Sequence, residues 1–345
     1  MKNSQKLRLL ILFLVCFFGV IGFNYGYGAY EYRFKSPVIA STQIKIHTSD
    51  TFDKLFDSLE NSGTIESSAK CKAHAIDNDI YRIKPGNYKL KEGMSYRQVL
   101  TALAYGHQTP VRLTFNNIRT INLLAGALSK YTLADSTAFI KTLTDKKLID
   151  SLGFTKATFP AMFIPNTYEI YWSETPKEIV LRLHKEYKKF WNETRKNKAK
   201  KLGLTPNEIT TIASIVTEET KVKKEMTTVA GVYINRVRIG IPLQADPTVK
   251  FAIGDFGIRR ILHKHLKYQS PYNTYTNKGL PPGPIAIPSG TVIDATLNYS
   301  EKPHKYLYFC AKASFNGEHA FATNLSQHNQ NARAYHKELN RRNIK

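Results

Sequence analysis

The run from Leu9 to Tyr30, LLILFLVCFFGVIGFNYGYGAY, carries no charged side chain. As a single helix it is long enough to cover the hydrocarbon of a bilayer, with Tyr25, Tyr27 and Tyr30 at the polar boundary. Lys2, Lys6 and Arg8 precede it with no acidic residue, which predicts an inside N-terminus and an exported remainder. The alternative is a cleaved signal peptide, because the small residues of GYGA follow the 15-residue apolar core Leu9–Phe23. Cys16 lies inside the run and is followed by Phe17, which argues against a lipoprotein. No second stretch is long enough to span. The expected order is therefore a cytoplasmic tail at 1–8, a transmembrane anchor at 9–30, a polar stem at 31–42, and everything beyond outside the cytoplasm.

That placement gives meaning to the composition. The 345 residues allow two or three domains, and 42% hydrophobic with 12% aromatic residues excludes a disordered chain. A formal net charge of +23 attracts anions. Outside the cytoplasm nucleic acid is not the expected partner, and phospholipid headgroups or an anionic wall polymer are. The lysine-rich segment 184–203 reads as a solvated helix face. Cys71 and Cys310 could form one disulfide in an oxidising compartment or stay unpaired. His263 and His265 form an isolated pair without metal-ligand spacing, so neither a metal nor a cofactor is expected.

Downstream of the stem, strand and helix patterns alternate. Ile44 and Ile46 alternate as in a strand, and Phe52, Leu55, Phe56 and Leu59 follow helical spacing. A related pattern recurs in GNYKLKEGMSYRQVLTALAYG (86–106), with Gly106 as helix stop, and again from Val111 to Lys130. The spacing predicts a small module at 43–110 that buries helical faces on a small sheet, and a linking subdomain at 111–200. The segment 163–191 reads as an aromatic, proline-containing stretch followed by a long amphipathic helix. In LTPNEITTIASIVTEET (204–220), Thr205 is an N-cap, Pro206 the first helical residue and Glu208 completes a capping box. A further helix is expected over 227–240. Asn316-Gly317 is the strongest hairpin signal in the chain, and a polar helix closes it. The catalytic region expected from these patterns is 201–345.

Two adjacent glutamates end the apolar helix at 209–216. Glu219 follows Ile215 and Val216 at helical spacing and falls at the edge of their apolar face; Glu218 points roughly the opposite way, toward water. A carboxyl brought onto an apolar face has its pKa raised until it can stay protonated near neutrality, which is what a general acid needs. The alternative is a structural helix glutamate paired with Lys223 four residues on. Beyond it, IPLQADPTVKFAIG and SPYNTYTNKGLPPGPIAIPSG are dense in Pro, Gly, Asn and Tyr, as surface loops that carry function are. Gln244 and Thr248 could hydrogen-bond sugar hydroxyls or tie down their loop. Tyr272, Asn273 and Tyr275 combine stacking surface with amide contacts, the composition of a sugar cleft, and core packing of one tyrosine is the alternative. Asp246 is the one rival second carboxylate, although Asp before Pro usually starts a turn. Asn235 and Arg236 could orient the glutamate helix or bind a carboxylate. Asn324, His328 and Asn329 could close a cleft or cap the last helix.

These segments, with YLYFCAKASFNGEHAFATNLSQHN, FIPNTYEIY and PGNYKLKEGMSYRQVLTAL, resemble the endolytic murein transglycosylases of the MltG, YceG-like family over nearly the whole chain. The resemblance implies an α+β fold: one transmembrane helix, a LysM-like region and a mixed α+β catalytic domain on the periplasmic side of the inner membrane. It implies cleavage of the β-1,4 bond between N-acetylmuramic acid and N-acetylglucosamine in nascent glycan, leaving a 1,6-anhydromuramyl end and ending strand growth. Peptidoglycan strands and cell-wall synthases are the implied partners. The family's catalytic glutamate occupies the second acidic position of an ASIVEKE-type motif, which is Glu219 here. Thr217 stands at the first acidic position and Glu218 where a basic residue is common. The substrate-binding residues expected on this reading are Gln244, Asp246, Thr248, Tyr272, Asn273, Tyr275 and Asn235. The competing readings are a wall-binding scaffold with a structural Glu219, and a hydrolase using Asp246 and a water.

Overall fold

The computed structural model describes residues 2–342; the first residue of the expected tail and residues 343–345 of the expected catalytic region lie outside them. The chain forms two compact units. One takes the chain as far as Arg112 and adds Glu169–Glu174; the other holds Leu113–Tyr168 and the chain from Thr175 onward.

In the first unit the apolar run is one helix, α1 (Lys2–Phe34). Among the described residues it is the one helix long and apolar enough to cross a membrane. It leaves Leu9, Phe13, Phe17 and Phe23 exposed, so no protein core receives this face. It runs past Tyr30 to Phe34, and Val38 is buried with a bridge to Ile65, so the expected polar stem is packed structure. β1 (Thr42–Ile46) pairs antiparallel with β2 (Gly86–Leu90), Thr42 opposite Leu90. Between them lie α2 (Phe52–Asn61) and α3 (Ser68–Asp77), and α4 (Tyr96–Tyr105) follows. Ser95 and Gln98 form a capping box on α4, and Gly106 stops it with φ +77°, a conformation that costs an L side chain its Cβ clearance. Ile46, Phe56, Leu59, Tyr88, Val99, Leu100 and Leu103 make one core. The sequence reading missed α3, whose buried face is only Ser68, Cys71, His74 and Ala75, too small and polar to show a period. The third strand–helix repeat does not extend this sheet: β3 (Val111–Thr114) pairs with β4 (Thr167–Ile170). Cys71 is free and buried, and its thiol is pushed up to about 12 by burial.

The second unit is largely helical. α5 (Ile121–Ser129), α6 (Ser136–Leu143) and α7 (Lys146–Ser151) lead to β4. The lysine-rich stretch is two helices, α8 (Pro176–Phe190) and α9 (Glu193–Leu202), broken at buried Trp191. It is less solvated than its charge suggests, because Arg195 lies 4.0 Å from the Phe190 ring centroid and pairs with Asp294 at 2.7 Å. α10 (Pro206–Glu219) carries the expected capping box and is followed by α11 (Met226–Arg238). Asp246-Pro247 opens a helix, α12 (Asp246–Ile253), where a turn was expected; Pro in the first turn loses no hydrogen bond that the helix needs. α13 (His263–Leu266) and α14 (Gly290–Leu297) come next. The hairpin forms from β5 (Tyr308–Ala311) and β6 (His319–Ala322), with a longer connection than a two-residue turn. Cys310 on β5 is free. Asn324 caps α15 (Leu325–Arg341) through the Gln327 amide at 2.9 Å.

The core of this unit gathers Ile209, Ile212, Ile215 and Val216 of α10, Val229 and Tyr233 of α11, and Ile293 and Leu297 of α14. The Pro-rich segment is seated on it. Ser214 of α10 accepts the Ile285 amide at 3.0 Å, and a Cβ on Gly283 would meet the Ala157 carbonyl oxygen at 1.9 Å. Gly283→Ala should therefore lower stability by about 2–3 kcal/mol, the range for overpacking against backbone. Thermal unfolding of the two proteins checks this, and an unchanged melting temperature would rule out the close approach.

Candidate active site

α10 is buried on every side from Ile209 to Val216. Such a helix must satisfy its own polar side chains, and it does. Thr210 and Thr211 donate to the carbonyls of Pro206 and Asn207, both at 2.8 Å, and Ser214 donates to Thr211 at 2.7 Å. The helix ends at Glu219, where Thr220 turns extended. Glu219 thus emerges from the core into a cavity of about 390 Å³, half-buried at its wall. α11, the loop before α12, Tyr275, the hairpin and the start of α15 supply the other walls.

Tyr233 of α11 donates a hydrogen bond of 2.8 Å to Glu219 Oε1. Burial pushes the Glu219 carboxyl up to about 7. The Tyr233 hydrogen bond pulls the other way, the charge of Asp246 adds to the rise, and Lys250 opposes it. Near neutrality such a group exchanges a proton readily in either direction. Lys223, the structural partner considered from sequence, is exposed beyond the end of α10. Glu218 is not simply solvated: Arg119 pairs with it bidentately, at 2.9 and 3.3 Å.

Asp246 lines the same cavity and accepts the Tyr275 hydroxyl at 2.6 Å. Gln244 lines it too, from a left-handed backbone (φ +51°), a conformation sparsely populated by non-glycine residues and common at functional sites. Arg236 is the bracket of the site. Its guanidinium donates to the carbonyls of Leu307 (2.7 Å), Leu243 (2.9 Å) and Pro242 (3.1 Å) and to Gln244 Oε1 (3.3 Å). It also lies 4.9 Å from the Tyr308 ring centroid. One buried cation therefore ties α11 to the loop before α12 and to the hairpin. His328 stacks on the other partner, Tyr308, and burial with the Arg236 charge holds it below its ordinary range.

Of the residues expected from sequence, Glu219, Gln244, Asp246 and Tyr275 meet in the cavity. Four others do not line it. Thr248 is fully buried and hydrogen-bonds Ala245 and Thr274. Asn273, also fully buried, donates to the carbonyls of Leu266 and Tyr268 and accepts the Tyr275 amide. Tyr272 packs on Phe251, ring centroids 4.8 Å apart. Asn235 donates to the carbonyls of His304 and Tyr306 and accepts from Tyr299. Thr248, Asn273 and Asn235 spend their side-chain polar groups on segments that have little regular structure of their own, and Tyr272 spends its ring. The sequence reading missed Tyr233 and the aromatic wall of Tyr308 and Phe309. The spacing signal for Tyr233 was present, because it shares a face of α11 with Val229 and Arg236, but nothing local shows which residue it meets. Phe309 packs edge-on to Tyr233 at 5.9 Å and to His319 at 5.2 Å, and His319 pairs with buried Glu225 at 3.0 Å.

A half-buried carboxylic acid poised near neutrality in a cleft of hydrogen-bonding and aromatic groups is able to give and take a proton, which makes this cavity the candidate general acid–base site. Comparison with known proteins shows the family. The YceG-like family is matched over residues 44–334, and the chain belongs to that family. It is 28% identical to the endolytic murein transglycosylase of Bacillus subtilis (strain 168), covering 86% of this chain and 85% of that one. It is 26% identical to the endolytic murein transglycosylase of Streptococcus pneumoniae (strain D39), covering 89% of this chain and 61% of that longer protein. A crystal structure of a yceG-like protein from Listeria monocytogenes shares the fold, with a TM-score of 0.53 at 24% identity, over 84% of this chain and 98% of that one.

Because Glu219 is held as an acid in the folded protein, ionising it costs stability. The cost begins as pH rises past the unfolded carboxyl range, roughly 4.5, and is complete above about 7. Glu219→Gln, which resembles the neutral acid, should therefore melt at a higher temperature than wild type at pH 8, with the gap closing at pH 5. Equal melting temperatures at both pH values would show that the carboxyl is not desolvated.

Proposed function

We propose that this chain is a membrane-anchored endolytic lytic transglycosylase of peptidoglycan. The observation that carries the reading is Glu219: a carboxyl pushed up to about 7 by burial, hydrogen-bonded by Tyr233, in a cavity that also presents Asp246, Gln244 and Tyr275. The names of the curated relatives support it. The bond cut is the β-1,4 link between N-acetylmuramic acid and N-acetylglucosamine. Protonated Glu219 gives its proton to the glycosidic oxygen as the bond to the muramyl anomeric carbon breaks. The carboxylate then takes the proton of the muramyl C6 hydroxyl as that oxygen bonds to the anomeric carbon, closing the 1,6-anhydro ring. Glu219 ends protonated, and no water is consumed.

Asp246 is held by Tyr275 and supplies negative charge beside the developing oxocarbenium ion. The substrate acetamido group can share this task. α1 anchors the enzyme in the inner membrane, with the chain beyond it on the periplasmic side and the active site near newly made glycan. Cutting there ends strand elongation, in company with the synthases that make the strand. Residues 43–110 form the LysM-like region of this reading, between the anchor and the catalytic part of the chain. No cofactor enters these steps. Asp246 in the same cavity also favours a second reading, a hydrolase in which it activates water.

Full-length protein in detergent, wild type and Glu219→Gln, should be incubated with uncrosslinked glycan and the ends identified by mass. Anhydromuramyl ends are expected from wild type, and about a thousand-fold fewer from the variant, the usual worth of a general acid. Reducing muramyl ends would instead establish the hydrolase. Tyr233→Phe removes the hydrogen bond that favours the carboxylate, so the Glu219 pKa should rise. The alkaline limb of the pH–rate profile, expected near 7 in wild type, should move to higher pH. A limb that stays in place would show that Tyr233 does not set the acidity.

A further inference from the structure

A second cavity, of about 250 Å³, lies along the same helix end. It is lined by Asn117, Arg119, Glu218, Lys221 and Ile287, among others. A small cleft of about 50 Å³ shares Arg119 and Glu218 with it, and adds Lys250 and Pro247, the residue after Asp246 of the catalytic cavity. Glu219 lines the catalytic cavity and its neighbour Glu218 lines this groove. The two sites are therefore one residue apart along the chain.

Their charge balance differs. The catalytic cavity holds two carboxyl groups, Glu219 and Asp246, against one guanidinium, Arg236, whose donors are taken up by carbonyls. Along the groove Arg119, Lys221 and Lys250 stand against Glu218 alone. Lys221 is exposed, and its ammonium makes one bond, of 2.7 Å to the Thr217 carbonyl, leaving two donors for a ligand. The groove is also built rather than incidental. The Ile287 amide donates to the Ile118 carbonyl at 2.8 Å, fixing its two walls, and Arg119 is held over the Phe256 ring at 5.3 Å as well as by Glu218.

The sugar backbone of peptidoglycan is uncharged, and its negative charge lies on the carboxylates of the peptide stem carried by each muramyl residue. Resting on the transglycosylase reading, we infer that this groove is a subsite for the anionic peptide stem of a muramyl residue bound at the catalytic cavity. Lys221 and Arg119 are its specificity residues. The enzyme then prefers stem-bearing glycan to bare glycan, and the preference weakens with ionic strength because the cations are partly exposed.

The test uses full-length protein and two forms of one glycan, stem-bearing and stripped of stems by an amidase, the second keeping only the lactyl carboxylate that the amidase frees on each muramyl residue. The variants are Lys221→Gln and the double replacement Arg119→Gln with Glu218→Gln, which leaves no orphaned carboxylate beside Glu219. Wild type should cut stem-bearing glycan with the higher kcat/KM, and in each variant the ratio of the two kcat/KM values should fall about five-fold, the value of one partly exposed charge pair. Equal losses on both substrates, or no preference in wild type, would overturn the inference. A binding measurement keeps it independent of the proposed activity. By calorimetry, N-acetylmuramyl pentapeptide should bind Glu219→Gln protein, and adding Lys221→Gln should weaken it about five-fold. Absent binding, or inorganic pyrophosphate binding as tightly as the muramyl peptide, would sink the stem assignment. Binding without cutting would leave the subsite standing and fail the transglycosylase reading alone.

Discussion

Everything at the site depends on the burial of α10. A helix enclosed from Ile209 to Val216 has no freedom to rotate or slide, because each turn meets core on all sides and its hydroxyls are already bonded. Its last residue is therefore delivered to one place, the wall of the cavity. The same enclosure removes water from the Glu219 carboxyl and raises its pKa. Position and acidity thus have one cause.

The remaining walls are held together by polar groups whose hydrogen bonds go to the protein itself. Arg236 collects carbonyls from two segments far apart in sequence, and Asn235 beside it holds the approach to the hairpin. A buried guanidinium without such acceptors would be costly, so the three segments and the cation stabilise one another. The hairpin in turn carries Phe309 onto Tyr233, and the Glu225–His319 pair fixes its far strand. These contacts pack against the Tyr233 ring, whose hydroxyl donates to Glu219.

How much of this was legible depends on whether the signal was local. The capping box at Thr205 and the stop at Gly106 each rest on residues within one turn, and both stand in the structure. Glu219 was legible because 3.6-residue periodicity alone separates it from Glu218. α3 was not, since four small or polar buried residues carry no apolar period. Nor were the roles of Thr248, Asn273, Tyr272 and Asn235. Polar and aromatic residues in a Pro- and Gly-rich loop have the composition of a sugar cleft, but the same composition serves a loop that must satisfy its own backbone. For Thr248, Tyr272 and Asn235 the use is decided by partners distant in sequence, Thr274, Phe251 and His304, whereas Asn273 closes its own loop on Leu266 and Tyr268.

The sequence by itself determined an apolar helix long enough to span a membrane, an α+β chain punctuated by caps, and the choice of Glu219 over its neighbour. Hydrophobic periodicity and capping act over a few residues, so they survive in the one-dimensional record. Only the tertiary structure decided that Tyr233 meets Glu219, that Tyr275 holds Asp246, and that Arg236 binds the walls together. It alone separated a carboxylate-lined cavity from a cation-lined groove across one peptide bond. Those pairings join segments with no sequence relation to one another, and their energies exist only once the core has brought them within hydrogen-bonding distance.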